Sequence, residues 1–540
     1  MTLKLALRAG AAVIALGAAA PAFAQDYTLS IIHTNDVHSR VDQVTAQGSF
    51  CTPKDAQENK CFGGYPRLIG KIRELRQAQP NPLVLDAGDV FQGSLFYTLL
   101  KSDAVKPFVE MAGYHAMTIG NHEFDDGPAE LAKFLDGLKT PVVTSNIDTS
   151  REPRLQNKWN AYRVVEIGGQ RIGIIGLTTS ETTISSSPGP TVSFGDHAEA
   201  LRRNVRELQG QGVNKIIALT HVGTAVDREL AKQVDGIDVY VGGHSHSLLH
   251  NGEDRRKEGP YPIVERTPSG APALVVQSYY AGIFLGNLQV TFDKDGVPAK
   301  WQGDTILMDS KVPQDAQAQE LVQKMAGPLA ELRARQIGTA AVALDGDRVA
   351  CRHGECTMGN LIADAMLAAA KEQGAQIAIQ NGGGIRTSIP QGQISFGQVL
   401  EVLPFSNALA TFKLTGSEVV EALENGVGRA ENPQNEGTGR FPQVAGLRFT
   451  WDASKPTGQR IDKVEVRQAN GTFAPLDRNA TYTVVTNDFM RKGGDGYAVF
   501  RDKGRNAYDA GPNLEDVLAA YIRQTGTVEP RIEGRITRAN

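Results

Sequence analysis

Five short stations in the first half of the chain carry side chains suited to holding divalent cations. They are Asp36-Val37-His38, Gly88-Asp89, Gly120-Asn121-His122-Glu123-Phe124-Asp125, Thr220-His221 and Gly242-Gly243-His244-Ser245-His246. One Asp-x-His pair alone says little, because a histidine at a strand end is more often a hydrogen-bonded structural residue. The set says more. Half of the 10 histidines fall in these stations, with Asp and Asn beside them and no thiolate. Mixed imidazole and carboxylate donors favour zinc, manganese, iron or cobalt over calcium. Two such cations carry more charge than two aspartates return. A positive centre is left that can hold a phosphate, and a water between the cations is acidified into a nucleophile near neutral pH. His122 adjoins a ligand without having to be one; hydrogen-bonded to Asp125, it can donate a proton to a phosphoryl or leaving oxygen. His33, His115, His197, His250 and His353 match no station and are read as structural.

A second group lies further along. Arg352 sits between Cys351 and Cys356, where a fixed guanidinium offers planar, paired donors to phosphate. Asn381-Gly382-Gly383-Gly384-Ile385-Arg386 is a glycine-rich turn ending in another arginine, and glycines let backbone approach a ligand closely. Leu403-Pro404-Phe405 and Asn487-Asp488-Phe489, with Asp495 in the following Gly-rich loop, place two aromatics where a core role is less automatic.

Elements must position these groups. Tyr27 to Thr34, Leu83 to Asp86, Ala116 to Ile119, Val142 to Ser145, Arg171 to Leu177, Lys215 to Thr220, Val239 to Val241 and Ala273 to Gln277 read as strands alternating with helical stretches, an α/β pattern. The cation stations follow several of them directly, as expected when rigid strands aim their loops at one site. From Pro313 to Arg335 the pattern turns helical, with Leu321, Met325, Leu329 and Leu332 at helical spacing and an interruption at Gly327-Pro328. Beyond it a second unit restarts, with a helix over Met358 to Lys371 led by Thr357, a strand over Tyr482 to Thr486 and a helix over Asn513 to Arg523.

The chain has 540 residues, 41% hydrophobic and 21% charged, enough for two domains or more. A net charge of −4 gives no chain-wide field for a nucleic-acid polymer or an anionic membrane. Residues 1 to 24 carry Lys4 and Arg8, an Ala-rich apolar run and Ala22-Phe23-Ala24, the pattern of a secretory signal peptide. Position 25 is Gln, and no hydrophobic tail closes the chain, so no membrane anchor is expected and the product is placed in the periplasm or secreted. The four cysteines form two local pairs, Cys51/Cys61 and Cys351/Cys356, read as two disulfides that shape loops and contribute about 2 to 3 kcal/mol each.

The order DxH, GD, GNHE(F)D, H, GGHxH resembles the calcineurin-like metallophosphoesterases, and the wider chain resembles the secreted 5'-nucleotidase family over nearly all of residues 26 to 535. The resemblance implies an α/β (α+β) protein: an N-terminal metallophosphoesterase β-sandwich flanked by helices over 25–312, a linker helix over 313–338 and a C-terminal α/β substrate-binding domain over 339–540. It implies that Asp36, His38 and His246 bind one cation, that Asn121, His221 and His244 bind the other, and that Asp89 bridges them. Zinc, manganese or cobalt are the expected cofactors, and some bacterial members carry Gln at the position of His246. His122 and Asp125 match the catalytic pair. Arg352 and Arg386 are implied phosphate ligands, joined by Arg348 from the spacing in some bacterial members. Asn381 is implied to contact the base, Phe405 and Phe489 to stack on its two faces, and Asp495 to accept from the ribose hydroxyls. The implied activity is hydrolysis of nucleoside 5'-monophosphates such as AMP. UDP-sugar hydrolysis, 2',3'-cyclic-nucleotide phosphodiesterase/3'-nucleotidase action and noncatalytic nucleotide binding stay open, as does a monomer or a homodimer.

Overall fold

The computed structural model describes residues 26–46, 48, 50–431, 438–509 and 511–539. The signal peptide read at 1–24 lies outside them. Two sheets build the N-terminal half. One has the spatial order Pro298–Leu307, Phe284–Phe292, Tyr27–Thr34, Pro82–Asp86, Ala116–Met117; the other runs Ile263–Arg266, Pro272–Val276, Val239–Val241, Lys215–His221, Gln170–Thr178, Tyr162–Ile167. Alternate side chains explain how they pack. Leu29, Ile31, Leu83 and Leu85 from the first sheet meet Ile172, Ile174, Ile217 and Leu219 from the second in one buried layer. The opposite faces carry Ile32 and Val84 under the helices Tyr65–Ala78 and Lys106–Ala112, and Ile216 and Ala218 under His197–Gly210 and Thr224–Gln233. The result is a sandwich flanked by helices, as the resemblance implies. Strands buried on both faces read as unbroken apolar runs.

The central strands of both sheets run parallel, so their C-terminal ends, and the loops leaving them, gather along one edge. Val142 to Ser145 departs from its strand reading. It makes only isolated bridges, Met117 to Val142 and Val143 to Asn160, because it closes the edge beside the two-residue strand Ala116–Met117 and has too short a partner for a ladder.

The connecting segment forms a helix Ala316–Ala326, a tight turn Gly327–Leu329 and a short helix Ala330–Ala334. Asp315 starts it by accepting from the Ala318 amide, and Ala318, Val322 and Leu329 pack into the core of the N-terminal half. The next strand, Gln336–Ala340, already pairs with Gly392–Ser395 and Thr527–Val528 of the C-terminal half.

That half centres on a sheet ordered Pro442–Ala445, Ile377–Asn381, Thr481–Asn487, Leu409–Thr415, Arg505–Tyr508. Thr357–Ala369 and Leu514–Thr525 cover one face, and Gly416–Val427 covers the other. Thr357 is the first residue of its helix; the cap is Cys356, whose sulfur accepts from the Gly359 amide. A cysteine seldom caps a helix, and this one is placed there by its disulfide to Cys351. Cys51 pairs with Cys61 as read. Among the described residues no helix is long and apolar enough to cross a membrane.

Candidate active site

The loops leaving the parallel strands bring all five cation stations together. Asp36 and His38 follow Thr34, Asp89 follows Asp86, Asn121 and His122 follow Met117, His221 ends its own strand, and His244 and His246 follow Val241. Donor atoms of Asp36, His38 and His246 lie within 4.8 Å of one another, as do those of Asp89, His221 and His244. Five of these residues hold left-handed backbone: Asp36 (φ 50°), His38 (49°), Asp89 (57°), His244 (74°) and His246 (57°). Non-glycine residues adopt this region at a cost, and such residues gather where surrounding structure dictates where a side chain points. Gly120 makes room for the centre: a Cβ there would lie 2.1 Å from Asp89 Oδ1.

The donor set suits two cations. His38 Nδ1 donates to the Phe91 carbonyl at 3.1 Å and His221 Nδ1 to that of Ala87 at 2.7 Å, which turns both Nε2 atoms toward the carboxylates; burial alone would lower His221, but the Asp89 and Asp36 carboxylates outweigh it and push its pKa up to about 10. His221 Nε2 stands 3.0 Å from Asp89 Oδ2 without hydrogen-bond geometry. His38 Nε2 and His246 Nε2 face each other at 2.9 Å, and Asp36 Oδ1 is 3.4 Å from the latter. Burial holds His38, His244 and His246 well below the ordinary imidazole value, so all three are neutral imidazoles. Burial, reinforced by the Asp89 charge against the pull of His221, pushes Asp36 up to about 7. Buried carboxylates and lone pairs converging in this way are the environment a bound cation relieves. His244 Nδ1 lies 2.9 Å from Asn121 Oδ1, which places the neutral amide beside the same group.

His122 turns Nδ1 to Asp125 Oδ2 at 2.6 Å. Burial alone would lower its pKa, but Asp125 and Asp89 outweigh burial and raise it, which favours a protonated donor. Phe405 stacks beside it, ring centres 5.8 Å apart and planes at 23°. This contact joins the two halves. Arg386 passes over the Phe405 ring at 5.6 Å and reaches to 3.4 Å from His38 Nε2. Burial and then the neighbouring Arg348 bring Arg386 down to about 10, while burial, Arg348 and Arg386 hold Arg352 well below its ordinary value. Three crowded guanidiniums of this kind are stabilised by an anion. Asn381 Nδ2 donates to Asp495 Oδ2 at 2.6 Å, and the Phe489 ring lies over Gly494, where a Cβ would come within 2.5 Å of it.

One cleft of about 990 Å³, counted with its mouth, is lined by Asp89, Asn121, His122, Asp125, His244 and His246 on one side and by Arg348, Arg352, Asn381, Arg386, Phe405, Phe489 and Asp495 on the other. Asp36, His38 and His221 lie behind its cation wall.

Several residues of the site carried no assigned role in the sequence. Glu123 sits inside the GNHE station, yet its buried carboxylate accepts from the amides of Gly120, Asp89, Val90 and Phe91 at 2.6 to 3.0 Å and ties two cation loops together. Its acidic type within a ligand-rich motif was the available signal. Ser186 donates to Asp125 Oδ1 at 2.7 Å, Asn35 to Asp36 Oδ2 at 2.7 Å, and Tyr280 stacks on His246 at 4.9 Å. Nothing local marks Ser186 or Tyr280, because each is brought in from a distant loop.

This fold and site define a metal-dependent phosphoesterase. Residues 29–248 match the model of the calcineurin-like phosphoesterase family, and residues 336–502 match that of the 5'-nucleotidase C-terminal domain. The chain is 35% identical to the 5'-nucleotidases of Bos taurus and Homo sapiens, in each case across 97% of this chain and 93% of the relative. The crystal structure of a 5'-nucleotidase precursor from Thermus thermophilus superimposes with a TM-score of 0.90 at 43% identity, covering 95% of this chain and 100% of that one. The chain belongs to the 5'-nucleotidase family.

Proposed function

We propose that the protein is a secreted, two-cation 5'-nucleotidase that hydrolyses nucleoside 5'-monophosphates such as AMP to nucleoside and phosphate. The observation that carries this reading is the shared cleft, in which Asp89, Asn121, His122, His244 and His246 face Arg352, Asn381, Arg386, Phe405, Phe489 and Asp495. A general phosphatase has no use for the second wall. In this reading residues 25–312 carry the cations, 339–540 grip the nucleoside and 313–338 join them.

Asp36, His38 and His246 would hold one cation and Asn121, His221 and His244 the other, with Asp89 between them. Zinc, manganese or cobalt in these places would supply Lewis acidity and an acidified water for attack on phosphorus. The side chains do the rest. Arg348, Arg352 and Arg386 receive the phosphate and neutralise charge that builds on its oxygens. His122, oriented by Asp125, gives its proton to the departing O5'. Phe405 and Phe489 sandwich the base beside Asn381, and Asp495 accepts from the ribose hydroxyls. Holding both reactants in one geometry removes much of the entropic barrier.

Periplasmic or extracellular placement fits the two disulfides and the signal-like N-terminus. A monomer satisfies the site as built, and a homodimer is compatible with it. Phosphate release and product analysis on AMP, 3'-AMP, cyclic AMP and UDP-glucose test the activity: AMP is the expected substrate, with adenosine as product. Preference for 3'-AMP or cyclic AMP would contradict it.

A further inference from the structure

Behind the cation wall lies a second chamber, about 1040 Å³ with its opening. His246, Arg348, Arg352 and Arg386 line both this space and the nucleotide cleft, so they form the partition between them. Arg40 stands in the chamber and does not line the cleft. It is 5% exposed, yet its Nε and Nη1 are buried and make no hydrogen bond. The side chain lies so close against Gly93 that a Cβ there would come within 3.0 Å of Nη1.

The nearby carboxylates are committed to other donors. Glu401 acts on Arg40 through space, but its Oε2 accepts from the Phe50 amide at 2.8 Å. Glu258 accepts from Ser247 Oγ at 2.7 Å, and burial raises its pKa. Asp347 caps the helix Arg348–His353 through the amides of Val349 and Ala350. Four guanidiniums therefore share the chamber with two carboxylates, Glu258 and Asp347. A guanidinium with two buried nitrogens that lack an acceptor is unfavourable, and its planar fork matches a phosphate group.

We propose that this chamber is a second oxyanion site, in which Arg40 binds a phosphate group other than the one under attack. The idea rests on the nucleotidase reading. That group has two sources of the same chemistry: inorganic phosphate leaving away from a nucleoside still seated in the cleft, or the second phosphate of a substrate extended beyond the scissile bond.

The test uses cation-loaded enzyme whose cleft is filled with a non-hydrolysable adenosine 5'-phosphonate, titrated calorimetrically with inorganic phosphate. Phosphate is expected to bind the wild type, to bind Arg40→Gln about tenfold more weakly or worse, and to leave phosphonate affinity within about twofold. Steady-state hydrolysis of AMP and of diadenosine diphosphate separates the sources. A rise of about tenfold in KM for the dinucleotide alone in Arg40→Gln assigns the chamber to substrate; phosphate binding weakened by Arg40→Gln with unchanged dinucleotide kinetics assigns it to product. Arg40→Lys, which keeps the charge and loses the fork, guards against a folding defect and should fall between the two. The proposal is overturned if dinucleotide kinetics ignore Arg40 and the filled wild type either binds no phosphate or binds it no more tightly than Arg40→Gln does. Failure of the wild type to cleave AMP would instead remove the nucleotidase reading, and the phosphate titration would still be readable.

Discussion

In the proposed reaction, proton transfer turns on His122 and Asp125. Replacing His122 by Ala should lower kcat by roughly 10²- to 10⁴-fold while cation content and circular dichroism stay unchanged; full activity would remove the residue from the chemistry. A different buried acid sets a stability prediction. Asp227 is fully buried, accepts from Thr220 Oγ1 at 2.7 Å, and leaves Oδ2 unpaired. Burial pushes its pKa up to about 7 from an ordinary 3.8. A raised acid contributes stability below the unfolded value and loses it as pH climbs through the folded one. Asp227→Asn, which cannot ionise, should match the wild-type melting temperature near pH 4, gain on it between pH 4 and 7, and hold a constant advantage above. An equal offset at every pH would contradict the assignment. The residue types of the cation site were legible because His, Asp and Asn recur at strand ends. The left-handed backbone that aims five of them was not, since φ at a non-glycine position is imposed by packing.

Among the elements, the parallel strands were readable from apolar runs, and the two exceptions are instructive. Val142 to Ser145 has strand composition without a long partner, and Cys356 displaces Thr357 as a cap because a disulfide holds it in place. Both outcomes depend on contacts distant in the chain or on a cross-link, which local propensity does not encode. The helix Asp488–Arg491 presents Phe489, and the Leu403-Pro404 turn presents Phe405. Phe489→Ala should therefore raise KM for AMP by about five- to a hundredfold with little change in kcat, as loss of one stacked face predicts. A fall in kcat at constant KM would show that the ring aligns the phosphate and does not hold the base.

At the scale of the molecule, the two units were legible from the helical connector over Pro313 to Arg335 and the core material that restarts beyond it, but their mutual placement was not. It is fixed by contacts such as Phe405 against His122, Arg386 near His38 and the ion pair of Arg429 with Glu181 at the cleft. An ion pair this exposed contributes at most about 1 kcal/mol. Glu181→Ala should leave the melting temperature nearly unchanged and raise KM by up to about fivefold, because it loosens one contact that sets the two halves against each other; a large loss of stability would contradict that role. The whole account turns on cations held by one half acting on a phosphate gripped by the other. Phosphate release from AMP, measured before chelation, after chelation and dialysis, and after adding back zinc, manganese or cobalt, tests it most directly. The rate should fall by roughly a hundredfold or more on chelation and return with the cation; an undiminished rate in the chelated enzyme would contradict it.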